Sequence, residues 1–92
     1  MAQVLVKLYT TLKLRLGKPQ LWVEAATAAE ALGQVVREGG PEAARTLYDE
    51  KGAVRNEFVL ALGADILDRN ALDQVPLKEG SVLHIFPPIS GG

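Results

Sequence analysis

Cysteine is absent, which excludes disulfides, thiolate metal ligands and a cysteine nucleophile. Histidine occurs once, at His84, too little for a histidine-based metal site and a poor start for a Ser-His-Asp triad. No cofactor-binding or metal-binding constellation is expected. Aromatic residues make up only 5% of the chain, with Trp22 the single tryptophan. Long hydrophobic runs are missing. The longest, Phe58 to Leu62, falls far short of the roughly 20 residues a membrane span needs. No apolar segment follows a basic start, so neither a signal peptide nor a membrane partner is expected, and the expected location is cytoplasmic. The formal net charge of −1 gives no general attraction for nucleic acid. What remains is 92 residues, 48% of them apolar: one globular domain over residues 1–92.

The charge is uneven. Residues 1–23 carry Lys7, Lys13, Arg15 and Lys18 and no acid. Residues 24–92 carry all eleven acids against six basic residues. A solvated basic hairpin explains this; a docking face for an acidic partner is the sharper alternative.

Residues 3–9 place Val4, Val6 and Leu8 on one side at period 2, which predicts a strand. Leu12-Lys13-Leu14-Arg15-Leu16 alternates as well, and by pattern alone continues the strand to Gly17-Lys18-Pro19. Gln20 to Glu24 reads as a second strand. Thr27 to Glu38 is the clearest helix. Thr27 and Glu30 have capping-box spacing, and Ala28, Ala31, Leu32, Val35 and Val36 form one stripe. Gly39-Gly40-Pro41 ends it, and Gly33 within it suggests close approach of another element. Glu42 to Tyr48 predicts a short second helix with Ala43, Ala44 and Leu47 inward. Phe58 to Leu62 predicts a central strand buried on both faces, and Ile66-Leu67 a short return strand. Asp68 to Gly80 reads as irregular, anchored by Leu72, Val75 and Leu77. Val82 to Phe86 is the last strand, stopped by Pro87-Pro88. A mixed sheet wrapped over one main helix is the α+β architecture that this order favours.

The chain ends in Gly91-Gly92, directly after a strand and two prolines. The run Leu77-Lys78-Glu79-Gly80-Ser81-Val82-Leu83-His84-Ile85-Phe86-Pro87-Pro88-Ile89-Ser90-Gly91-Gly92 resembles the end of the small subunit of molybdopterin synthase and its ThiS-like sulfur-carrier relatives. Val6 to Gly17 resembles that family's first strand and its Leu-Arg-containing loop. The capped helix at Thr27 sits where the family's main helix begins. Ubiquitin is a more distant likeness, through Gln3 to Lys7 and the spacing of Ser81, Leu83, His84, Gly91 and Gly92. Ser81 replaces the aspartate usual after the turn glycine, and Leu62-Gly63 stands where Asn-Gly is common. The resemblance implies a β-grasp (ubiquitin-like) fold. It also implies a loop or single irregular turn over Thr11–Leu16, so that the first strand ends near Thr10.

The resemblance further implies a chemistry. The reacting group is the α-carboxylate of Gly92, an anion with no leaving group. A ubiquitin-activating-like adenylating enzyme uses ATP to install AMP, and sulfur then displaces AMP to leave a terminal thiocarboxylate. A chain without cysteine can carry sulfur in this way. Gly91 and Gly92 lack Cβ atoms and suit a narrow channel. Residues 87–92 are expected to form a flexible tail, and Phe86 to Gly92 reaches about 20 Å when extended. The implied partners are the activating enzyme and the large subunit of molybdopterin synthase, so the chain is a protein cosubstrate or small subunit. Strand alternation turns Leu83 and Ile85 to the helix and Val82, His84 and Phe86 outward. With Pro87, Pro88 and Ile89 these are the candidate partner-binding residues. Trp22 is a core-edge or contact residue, and Arg69 and Lys78 are candidates for charge steering or for a solvated face. The leading function is sulfur transfer in molybdopterin or tungstopterin synthesis. The alternatives are sulfur delivery to tRNA, thiamin or an amino acid, a modifier joined through Gly92 to lysines, and an interaction module that never reacts.

Overall fold

In the computed structural model, residues 2–87 are described. The candidate residues Pro88, Ile89, Gly91 and Gly92, and with them the expected tail beyond Pro87, lie outside the described residues. Val4, Val6 and Leu8 line the inner side of β1 (Ala2–Leu8), and all three are buried. The segment after it differs from both expectations. It is neither strand nor irregular turn but a seven-residue helix, α1 (Thr10–Leu16). The cause is the spacing of its leucines. Leu12 and Leu16 are four apart, so a helix turns both to the core, while Leu14 between them is left 80% exposed. Gly17 closes α1 in the left-handed conformation, its N–H donating to the Lys13 carbonyl.

The chain returns along β1 as β2 (Gln20–Ala25), antiparallel, with Leu21 and Val23 inward. Thr27 then caps α2 (Ala28–Leu47). Its Oγ1 accepts from the Glu30 N–H at 3.3 Å, and the Glu30 carboxylate accepts from the Ala26 N–H at 2.8 Å. The return bond thus lands one residue before the cap and fastens the end of β2 to the helix. Gly40, at φ 77° and ψ −166°, breaks α2 into two segments. The expected stop and the expected second helix are both present, with Ala43 and Leu47 buried and Ala44 half-buried. Ala28, Ala31, Leu32 and Val35 are buried as expected, while Val36 is only half-buried. The close approach falls at Gly39 rather than Gly33. A Cβ on Gly39 would lie 2.9 Å from Leu16 Cδ1, whereas the space around Gly33 is open.

β3 (Val59–Leu62) follows, with Phe58 buried just before it. Burial on both faces holds at Leu60 and Ala61 but not at Val59, which is exposed on the side of the sheet away from α2. β4 (Asp65–Ile66) returns one residue earlier than expected. A 3-10 helix (Arg69–Gln74) orders part of the supposedly irregular connection, capped by the Asp68 carboxylate. Leu72 and Leu77 are buried and Val75 is half-buried, so the three expected anchors hold. β5 (Val82–Phe86) matches its expected bounds. The five strands lie in the order β2-β1-β5-β3-β4. β1 and β5 run parallel at the centre, and the other pairs are antiparallel. This is the mixed β-grasp sheet, with α1 and α2 over one face. The other face is open among the described residues, and no described helix is long and apolar enough to cross a membrane.

Candidate functional site

β5 builds the site from its alternation. Leu83 and Ile85 are fully buried beneath α2, which sends Val82, His84 and Phe86 to the open face. Parallel pairing sets Lys7 beside His84 and brings Tyr9, two residues on, beside Phe86. On the other flank, Val59 pairs with Phe86 and Ala61 with His84. The register therefore gathers three aromatic rings. The Tyr9 and Phe86 centroids are 4.9 Å apart, His84 and Phe86 5.4 Å, and Tyr9 and His84 6.1 Å, all close to parallel. Tyr9 Oη and His84 Nδ1 form a hydrogen bond of 3.0 Å. Such stacks contribute about 0.5–1.5 kcal/mol each beyond simple burial. They hold Phe86 at the point where the chain leaves the sheet.

This cluster is the centre of a wider apolar surface. Among the described residues five large apolar side chains are exposed: Leu14, Trp22 (59%), Val59 (38%), Ile66 (77%) and Phe86 (37%). Four of them share the open face. Trp22 pairs with Leu5 at one edge, and Ile66 pairs with Ala61 at the other. Apolar groups concentrated on one face of a small domain mark a protein contact.

Trp22 is thus an exposed surface residue rather than core edge. Tyr9, Val59 and Ile66 were missed from the sequence. Tyr9 could have been found, because Leu5, Lys7 and Tyr9 continue the outward positions of β1. Arg69 is half-buried, its Nη1 donating to the Val54 carbonyl and the Asn56 side chain. Lys78 is exposed. Among the described residues no polar or charged side chain is buried, and no group of three acids or histidines is placed to hold a metal ion. Asp49 accepts from the Ala53 and Lys51 N–H groups, which lowers its carboxyl below the ordinary aspartate range. Half-burial raises the Tyr48 phenol above its ordinary value.

The sequence model of the ThiS family matches residues 6–92. No curated protein shows a significant sequence match. Among solved structures, SAMP1 from Haloferax volcanii superposes with a TM-score of 0.85 at 21% identity, covering 99% of this chain and 100% of that one. The Amycolatopsis orientalis BexX/CysO complex contains a chain similar at a TM-score of 0.78 and 21% identity, covering 97% and 99%. The complex of subunits 1 and 2 of molybdopterin-converting factor from Helicobacter pylori gives 0.59 at 25% identity, covering 98% and 99%.

Proposed function

The chain belongs to the ThiS family, and from that membership we propose that it is a sulfur carrier whose Gly92 carboxylate is the reacting group. The family match carries this reading, because it runs through the terminal Gly91-Gly92 pair. A ubiquitin-activating-like enzyme binds the chain and presents ATP. The Gly92 carboxylate attacks the α-phosphorus and releases pyrophosphate, leaving an acyl adenylate. Sulfide-level sulfur adds to the acyl carbon, AMP departs, and a thiocarboxylate remains. The acceptor pathway proposed is molybdopterin or tungstopterin synthesis, with this chain as small subunit of molybdopterin synthase and a large subunit supplying the acceptor site.

The division of labour fits the residues. Gly91 and Gly92 have no side chain to obstruct a narrow channel. Val82, His84 and Phe86, with Pro87, Pro88 and Ile89 beyond them, provide the docking contact. The open face and the root of the tail are contiguous, so one docked partner can hold the sheet and receive the carboxylate. A second reading, conjugation through Gly92 to lysines of other proteins, is favoured by the closer superposition on SAMP1, whose name is that of a small archaeal modifier protein. Both readings pass through the same adenylate.

The deciding experiment is intact mass after incubation with the activating enzyme, ATP and a sulfur source. Exchange of one terminal oxygen for sulfur supports the carrier. Lysine-linked adducts in extract, with no thiocarboxylate, favour the modifier. A variant extended beyond Gly92 and shown by mass to be uncleaved should not be adenylated. If it still passes on sulfur, the reading fails.

A further inference from the structure

We propose that the cleft between Lys7 and Lys13, beside the aromatic cluster, receives acidic side chains of the adenylating enzyme that docks on the open face. This rests on the sulfur-carrier reading, which supplies that protein.

Four positive charges lie in the first part of the chain, and the fold sorts them into two pairs. Arg15 reaches Glu42 at 3.7 Å and Lys18 reaches Glu38 at 3.4 Å, both acids on α2. Among the described residues Lys7 and Lys13 have no such partner. They line one cleft of about 400 Å³ together with Tyr9, Thr10 and Gln20, and no acid lines it. The turn that brings Lys13 back toward Lys7 passes through Thr10 at φ 44°, the one positive φ outside glycine among the described residues. Backbone strain is thus held in the turn that joins the two lysine-bearing elements.

The cleft is continuous with the site. Tyr9 belongs to both, and Lys7 is the cross-strand neighbour of His84. The docking surface therefore has an apolar centre at Phe86 and a cationic margin on the β1 side. On a chain of net charge −1, that margin is a local feature rather than the overall field. A partner surface with carboxylates opposite the margin gains a faster encounter and a fixed register. The alternative explanation is plain solvation of two surface lysines.

The test uses the full chain with its activating enzyme and ATP. Lys7→Glu and Lys13→Glu are made singly and together, and pyrophosphate release is followed from about 0.05 to 0.5 M salt, where screening shortens from roughly 13 to 4 Å. The double variant should raise the KM for the carrier about tenfold at low salt, with kcat unchanged and the salt dependence flattened. Arg37→Glu with Lys51→Glu alters the net charge equally, away from the cleft, and should leave KM near wild type. An equal effect of the control pair, or no effect of the cleft pair, overturns the proposal. Wild type that is not adenylated overturns the sulfur-carrier reading with it; adenylated wild type with an unmoved KM overturns the cleft alone.

Discussion

Replacing Phe86 by alanine separates docking from folding. Phe86 is 37% exposed, so close to two thirds of the residue is shielded, by Tyr9, His84 and Val59. Complete burial of such a side chain stabilises by about 1.5–3 kcal/mol, and a surface cavity relaxes easily, so the stability loss should be about 1–2 kcal/mol. In a domain of this size that lowers Tm by about 5–15 °C. On the proposed docking, the exposed third faces the partner. If it anchors the contact, truncation should cost about 2 kcal/mol in binding, a rise in KM of roughly thirtyfold. Adenylation kinetics at a temperature where the variant is fully folded measure the second effect, and thermal denaturation measures the first. Leu83→Ala is the comparison. Leu83 is fully buried on the opposite face, so its truncation should cost more stability, about 2–5 kcal/mol, and leave KM near wild type. If Phe86→Ala lowers Tm and KM does not move, Phe86 only props the strand and the docking face has been misplaced.

Leu32→Asp should prevent folding, because Leu32 is 1% exposed and a charge there has no partner; a circular dichroism melt like that of wild type would refute the assigned helix face. Thr27→Ala should cost about 0.5–2 kcal/mol through the freed Glu30 amide, read from urea unfolding midpoints. Asp49→Ala should destabilise the Asp49–Ala53 loop in a pH-dependent way. Because the native carboxyl is lowered, its stabilisation is complete above the unfolded value of about 4 and is lost as pH falls through the native value. The Tm gap between variant and wild type should therefore shrink between neutral pH and about pH 3. A gap that does not change would mean that the carboxylate does not hold the loop.

The sequence was most readable where two local signals agreed. Val82–Phe86 combines period-2 alternation with a proline stop, and both its bounds and its two faces came out as read. The Thr27 cap joins a spacing rule to an apolar stripe in the same way. Misreading came where one pattern satisfied two geometries. Leu12, Leu14 and Leu16 alternate like a strand, yet the outer two also fit one helical face, and core contact decided between them. Val59 sits in a continuous apolar run that implies burial on both sides, but it lies beside Phe86 on the face that no described element covers. The site was half legible. Alternation alone turned Val82, His84 and Phe86 outward. The place of Tyr9 beside Phe86 depends on parallel pairing between strands far apart in the chain, and no local pattern encodes that register.

That pairing also orders events during synthesis. Leu5 lies next to Val82, and β5 is the middle strand of the sheet, although it is the last to be made. Until β5 emerges, β1 with β2 and β3 with β4 are two separate hairpin-like halves, each exposing the edge that β5 will fill. Closing the sheet over so long a sequence separation is slow compared with local helix formation. A nascent or cut chain lacking β5 is missing its keystone rather than a margin, so the docking face does not exist in it. An enzyme that recognised this face would therefore bind only chains in which β5 has closed the sheet.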